Sequence, residues 1–335
     1  MLGDTGQYQG SQAFNNINLL TQEFVNPNTG SLFFSVPLVQ LAGKRSSIDL
    51  KVNLFYSAGF RGTFGLPANW GLDLPYVLGG KSVTANGRTY AIDLEWTDVT
   101  GHQSGLRYIN NHGISFRKFD PPLELPSGKR GQYGYTLCHV DGSIDYFDSL
   151  GKPIEHYDIY GNCLQYSYVD GDEHGVDSPE LRIDRILDSW GQEVLLFHDQ
   201  ESEMRVRLPD GTETSIQSSG SNVDFIRGPA GRTNFEYVSF NEGPGILSRI
   251  TYPSGLISAY DYTSIQYITS KDEPSYMPAV ENYRSLDSAK KIYQHKRYIY
   301  GKDSPVTYTG AAIGCTMGGL RDALMDDDDR ALEYK

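Results

Sequence analysis

The sequence predicts an all-β protein in which antiparallel hairpin repeats form a curved or spiralling β-sheet strip. Three observations lead there. Gly and Tyr account for 36 and 24 of the 335 residues, whereas Gly averages about 7% of ordinary proteins. Through the middle of the chain Gly recurs behind a polar or aromatic residue at intervals of about 10 or 20 residues, the rhythm of strands and turns. Between these glycines lie short aromatic and β-branched runs whose apolar residues fall at every second position. With 39% hydrophobic and 21% charged residues the chain is not disordered. Its glycines lack the three-residue period of collagen, and they interrupt the chain too often for a coiled coil.

Residues 1–23 read as a lead segment. It has no basic stretch followed by an apolar run, so no signal peptide is expected. No run approaches 18 apolar residues, so no membrane span is expected either. Residues 24–135 read as an N-terminal β region. A turn at 26–30 leads into an apolar strand, and Ile48, Leu50, Val52 and Leu54 alternate on one face of the next. Asn86-Gly87, flanked by residues 82–84 and 88–92, is the strongest short hairpin motif in the chain.

Residues 136–265 read as the regular hairpins, with pivots at Gly142, Gly151, Gly161, Gly171, Gly191, Gly211, Gly231 and Gly255. Hairpin turns need positive φ, which Gly adopts without steric cost. Leu164, Tyr166 and Tyr168 alternate with Gln165 and Ser167, as in a half-buried strand. One hairpin is marginal in water, so stability has to come from stacked neighbours. Residues 266–335 read as irregular. They hold a short predicted helix over 286–293, a strand near 298–300, a Gly-rich and then acidic stretch, and the opening of a further strand at 332–335.

These units resemble the RHS or YD-repeat family, whose repeat joins a Gly-x-x-x-x-Tyr-x-Tyr-Asp strand to an Asp-x-x-Gly turn. Residues 142–154, 158–168, 188–194 and 252–262 carry the likeness. Residues 26–38, 54–59 and 65–74 are similar to the opening of RHS-containing toxin-complex proteins. The resemblance covers about residues 24–262 and implies a partial RHS/YD-repeat shell with a role beside a toxin or effector. Lys152 and Gln192 stand where the family usually has Arg, and the family's large shells use many more repeats.

The net charge is −13 with no basic stretch, so nucleic-acid binding is not expected. Cys138, Cys163 and Cys315 are odd in number and form no CxxC, which speaks against a disulfide framework or a cysteine zinc site. The seven His form neither HxH nor HExxH and read as surface or inter-strand residues. No Gly-x-Ser-x-Gly elbow is present. Cys138 and His139 are adjacent strand positions on opposite faces, so Cys138 reads as structural. Asp170, Asp172 and Asp177 lie in a Gly-containing loop that loosely resembles a calcium loop without the EF-hand pattern; the competing reading is a solvated acidic loop. No cofactor is expected. Tyr146, Tyr160, Tyr166, Tyr168 and Trp190 are candidate sugar-binding residues, set against the simpler reading that they are cross-strand pairs stabilising the sheet.

The expected function is therefore a non-enzymatic structural module that encapsulates, presents or docks a toxin or effector. Its partners would be that polypeptide or another RHS or toxin-complex component, with self-association through open sheet edges. The alternative is a carbohydrate or cell-surface binding protein that uses exposed Tyr and Trp on a glycan. A glycosidase-like enzyme comes third. Without a signal peptide, the expected location is outside the cell by a non-classical route, or the cytoplasm before export.

Overall fold

A computed structural model describes residues 22–26, 30–41, 48–85, 88–97, 103–106, 114–128, 131–169, 173–199, 202–240, 245–268, 274–298, 300, 306–307 and 333–334. Among them there is no helix. Strands β1 (Gln22–Val25), β2 (Leu32–Leu41), β3 (Leu50–Ser57) and β4 (Trp70–Leu72) form a four-stranded antiparallel sheet. A second ladder begins with β5 (Tyr76–Leu78), β6 (Ser82–Ala85), β7 (Arg88–Thr97), β8 (Gln103–Leu106), β9 (Ser115–Glu124) and β10 (Gln132–Cys138). It continues with β11 (Ile144–Phe147), β12 (Pro153–Tyr157), β13 (Cys163–Tyr168), β14 (Ile183–Asp188), β15 (Glu193–Asp199) and β16 (Glu203–Arg207). Then come β17 (Glu213–Ser219), β18 (Asn222–Gly228), β19 (Gly231–Val238), β20 (Ile246–Thr251), β21 (Ile257–Ile268), β22 (Pro274–Leu286) and β23 (Ile292–Arg297). Each strand pairs antiparallel with its successor, and the ladder includes a 15-strand antiparallel sheet that does not close into a barrel. Two short strands flank its end: β24 (Val306–Thr307) lies parallel to β21, and β25 (Glu333–Tyr334) pairs with β23. The strand opening expected at 332–335 is thus present.

The turns account for the Asp-x-x-Gly rhythm. Asp148 Oδ1 accepts the backbone N–H of Leu150 at 3.0 Å and of Lys152 at 2.8 Å. Asp158 does the same for Tyr160 (2.8 Å) and Asn162 (2.9 Å), and Asp188 for Trp190 (2.8 Å) and Gln192 (2.7 Å). The carboxylate satisfies amides that the reversing chain takes out of the ladder. The fourth residue then closes the turn at positive φ: 88° at Gly151, 83° at Gly161 and 78° at Gly191. This is the geometry of a turn followed by a left-handed residue that re-enters the strand. Asn86 and Gly87 lie outside the described residues, but Ala85 pairs with Arg88 across them.

The helix expected over 286–293 is not there. Leu286 ends β22, Ile292 opens β23, and a hairpin turn joins them. Asp287 Oδ1 accepts the N–H of Lys291 at 2.7 Å, and Lys290 sits at φ 64° where the other turns have Gly. The segment is another Asp turn whose pivot is a Lys, so no Gly marked it. Residues 274–297 are correspondingly regular, because β22 and β23 extend the same ladder.

The four-stranded sheet packs on the inside of the strip, from the β13–β14 connection to β22. Phe64 N–H donates to Val176 O at 3.0 Å in the β13–β14 connection, and Val280 N–H of β22 donates to Gly30 O at 2.8 Å. Between these points Phe34, Trp70 and Phe235 pack edge to face, with Trp70 5.0 Å and Phe34 5.5 Å from Phe235. Tyr56 OH accepts the N–H of Leu247 at 2.9 Å, and Trp70 Nε1–H donates to Tyr237 OH at 3.1 Å. The core thus runs from Leu32 and Phe34 through Leu164 and Ile186 to Val280 and Tyr283. A smaller cluster of Val77, Val83, Phe116, Leu137 and Phe147 fills the start of the ladder.

Gly151 has a second constraint. A Cβ there would stand 2.0 Å from Val77 O, because the turn lies against β5 and Val77 N–H donates to Gly151 O. Gly151→Ala is expected to cost about 3 kcal/mol or more, as strained and overpacked sites do. Gly161→Ala meets nothing within 4 Å and should cost only the about 1–2 kcal/mol of a left-handed L-residue. Urea unfolding of the two variants measures the gap; equal costs would contradict the docking of this turn on β5.

Candidate functional site

The five aromatic candidates do not converge. Tyr166 is buried and Tyr168 half-buried on the core face of β13, and Tyr168 OH donates to Pro153 O at 2.8 Å. Tyr146 lies on the opposite face of β11. Its ring joins Phe119, Tyr133 and Tyr157 in an edge-to-face row across β9 to β12, with centroids 4.9–5.8 Å apart. Tyr160 and Trp190 instead project from hairpin turns, 77% and 57% exposed. Of the acidic candidates, Asp170 and Asp172 lie outside the described residues, while Asp177 pairs with Arg61 at 3.1 Å. Among the described residues no group of three or more His, Cys, Asp or Glu is placed to hold a metal ion. Among the described residues Cys138 and Cys163 form no disulfide, and Cys163 Sγ–H donates to Leu164 O at 3.4 Å.

The polar cluster that the structure does assemble is His139, Asp145 and His156. Asp145 lies on the core face of β11, between Ile144 and Tyr146, and only 3% of it is exposed. One oxygen meets His139 Nε2 and the other His156 Nδ1, both at 2.6 Å. An ionised carboxylate only accepts, so each imidazole donates the N–H that faces it. Strand register brings them together: Asp145 stands opposite His156 across the Asp148 turn, and His139 closes the preceding hairpin. Burial pushes Asp145 upward, but the hydrogen bonds and charge of the two His outweigh it and hold the carboxyl below its usual 3.8. Burial likewise lowers His139, yet its bond to Asp145 and the charges of Asp145 and Asp141 raise it above 6.5 overall. Counting outward from the Asp148–Lys152 turn would set Asp145 opposite Glu155; a register shift between Tyr146 and Phe147 brings His156 there instead, so hairpin counting does not reveal the cluster. Reading each His against local motifs alone missed it.

Two more buried ionisable groups are structural ties. Lys152, where an Arg was expected, is fully buried; its Nζ lies 3.0 Å from Asp148 Oδ2 and 5.4 Å from the Tyr168 ring. Glu23 of β1 accepts from Tyr252 OH and from Ser258 Oγ (3.0 Å), fastening the edge of the inner sheet to the strip. Burial drives the Glu23 carboxyl above the usual range against the hydrogen bonds of Tyr252, Tyr260, Ser258 and Tyr283. Lys152 thus ties its turn to β13, and Glu23 ties β1 to the strip.

No protein-family model matches the chain, and no curated protein matches it significantly.

The His cluster makes a signed prediction. The raised value of His139 adds stability that is complete below about 6.5 and is lost as pH rises through its folded-state value. The lowered value of Asp145 adds stability above about 3.8 that is lost as pH falls through its folded-state value. The stability difference between the native chain and His139→Gln should therefore be largest between those limits and shrink as pH rises through the folded-state value of His139. Urea denaturation across that range checks it, and a difference that grows with pH would contradict the assignment.

Proposed function

We propose that the chain is a non-enzymatic structural module of the RHS/YD-repeat type that presents or docks a toxin or effector polypeptide. The observation that carries this reading is one continuous ladder built from repeated Asp-turn hairpins and packed on a sheet of its own chain. The repeats have the spacing and turn chemistry of that family's unit. Because β1–β4 occupy the inside of the strip, the reading favours presenting or docking a partner on the outside over enclosing it. The buried ionisable groups also favour a framework: Asp145, Lys152 and Glu23 are each engaged in holding strands together.

A second reading, glycan or cell-surface binding, is favoured by Tyr160 and Trp190 alone among the five candidate aromatics, since both rings stand in solvent at turn tips.

Co-expression of the full chain with a toxin or effector encoded beside it should give a complex that elutes at fixed stoichiometry. Steady turnover of a glycoside or ester by the purified chain, abolished by a single substitution, would contradict the module reading. On a glycan array, saturable binding lost in Trp190→Ser would move the conclusion to the second reading.

A further inference from the structure

We infer that the edge of the strip carrying the turns at 139–143, 158–162 and 188–192 is a docking surface for a basic amphipathic helix of a partner polypeptide. This inference rests on the docking reading above and names its surface.

In an antiparallel meander alternate turns share one edge. The β10–β11, β12–β13 and β14–β15 turns therefore lie side by side. They also touch: a Cβ on Gly142 would stand 2.7 Å from Ile159 Cγ2, and Ser189 Oγ–H donates to Cys163 O at 3.1 Å. From this edge project Val140, Ile159, Tyr160 and Trp190, which are 72%, 58%, 77% and 57% exposed. A soluble protein scatters single exposed apolar side chains, whereas a row of large ones marks an interaction site. Trp and Tyr are also the residues that most often anchor interfaces.

Charge selects the partner. The three turns contain Asp141, Asp158 and Asp188 and no Lys or Arg, and His139, the other ionisable residue, is turned inward onto Asp145. Hydrogen bonds from Ser143 hold Asp141 below the usual carboxylate value. For Asp158, burial opposes the bonds from Asn162 and Tyr160 but does not outweigh them. Asp141 and Asp158 are thus ionised at neutral pH, and the edge is apolar and negative together.

Geometry selects a helix. Turns two strands apart are about 10 Å apart, so three of them span about 20 Å, the length of about 13 residues of α-helix. An added strand would find no ladder here, because the N–H groups of Tyr160, Asn162, Trp190 and Gln192 already donate to Asp158 and Asp188. A helix with an apolar stripe flanked by Lys or Arg instead meets the row with side chains alone.

The test titrates the full chain with three synthetic peptides of about 14 residues: an amphipathic Leu/Lys helix, an equally amphipathic Leu/Glu helix, and a Lys/Ser peptide lacking the apolar stripe. The Leu/Lys helix should bind saturably and the others should not. The double variant Y160S/W190S should weaken it by at least about tenfold, as loss of interface anchors does, with unfolding by urea unchanged because both side chains stand in solvent. Equal binding of the Leu/Glu helix, or undiminished binding to the double variant, would overturn the inference. So would light scattering that shows self-association abolished by Y160S/W190S, which would make the occupant a second copy. If a co-expressed effector still elutes with the double variant, docking stands and this edge is wrong. If the native chain turns over a substrate, the module reading itself fails.

Discussion

An antiparallel strip of this length has an apolar face that must be covered, and covering it organises the whole molecule. The alternating pattern of β13 to β22 puts Leu164, Ile186, Val194, Val206, Ile216, Ile226 and Ile250 on that face. Each hairpin alone would leave them in water. The four-stranded sheet supplies the missing partner, and its own apolar residues, Leu32, Phe34, Leu54, Tyr56 and Trp70, are buried in return. Burial of apolar area stabilises by about 25 cal/mol per Å², so neither layer keeps its main driving force without the other. The polar contacts across this boundary are aimed accordingly: Trp70 to Tyr237, Tyr56 to Leu247 and Glu23 to Ser258 each satisfy a group that packing has removed from water.

The turns set the register on which that packing depends. A slip of one residue would move a strand's apolar set to the other face. The Asp carboxylates guard against it by bonding amides two and four positions on, which fixes where each strand starts. A register shift between Tyr146 and Phe147 then sets Asp145 opposite His156, and the turns leave one edge of the strip as a line in which Asp side chains accept the amides of Ser143, Tyr160, Asn162, Trp190 and Gln192. Structural and interaction roles therefore sit side by side: Asp158 and Asp188 aim their carboxylates at their own turn amides, next to the exposed rings of Tyr160 and Trp190.

What the sequence revealed was local. Strands and turns around Gly142, Gly151, Gly161 and Gly191 were legible because each is specified within a dozen residues. The turn at Asp287 carries no turn signature in the sequence, because Lys290 takes the left-handed position that Gly holds elsewhere. Lys152 was legible as a departure from Arg, but its complete burial was not, since that depends on Asp148 and Tyr168 across a strand. Asp145 looked like an ordinary polar strand residue; only pairing register shows it between two imidazoles. Of the five aromatic candidates, sequence could not separate Tyr166, which belongs to the core, from Tyr160, which belongs to the solvent, because both recur beside the same glycines. The inner sheet's role was the least legible feature. Trp70 and Tyr237 are 167 residues apart, and no periodicity links them.

The central claim is that strip and inner sheet are one cooperative unit. Native-state hydrogen exchange of the full chain and of Trp70→Ala, followed through a urea series, tests it most directly. The account predicts that the amides of β2–β4 and of β13–β22 open with a common free energy, and that Trp70→Ala lowers both sets together. A strip that keeps its native protection after β2–β4 have opened would contradict it.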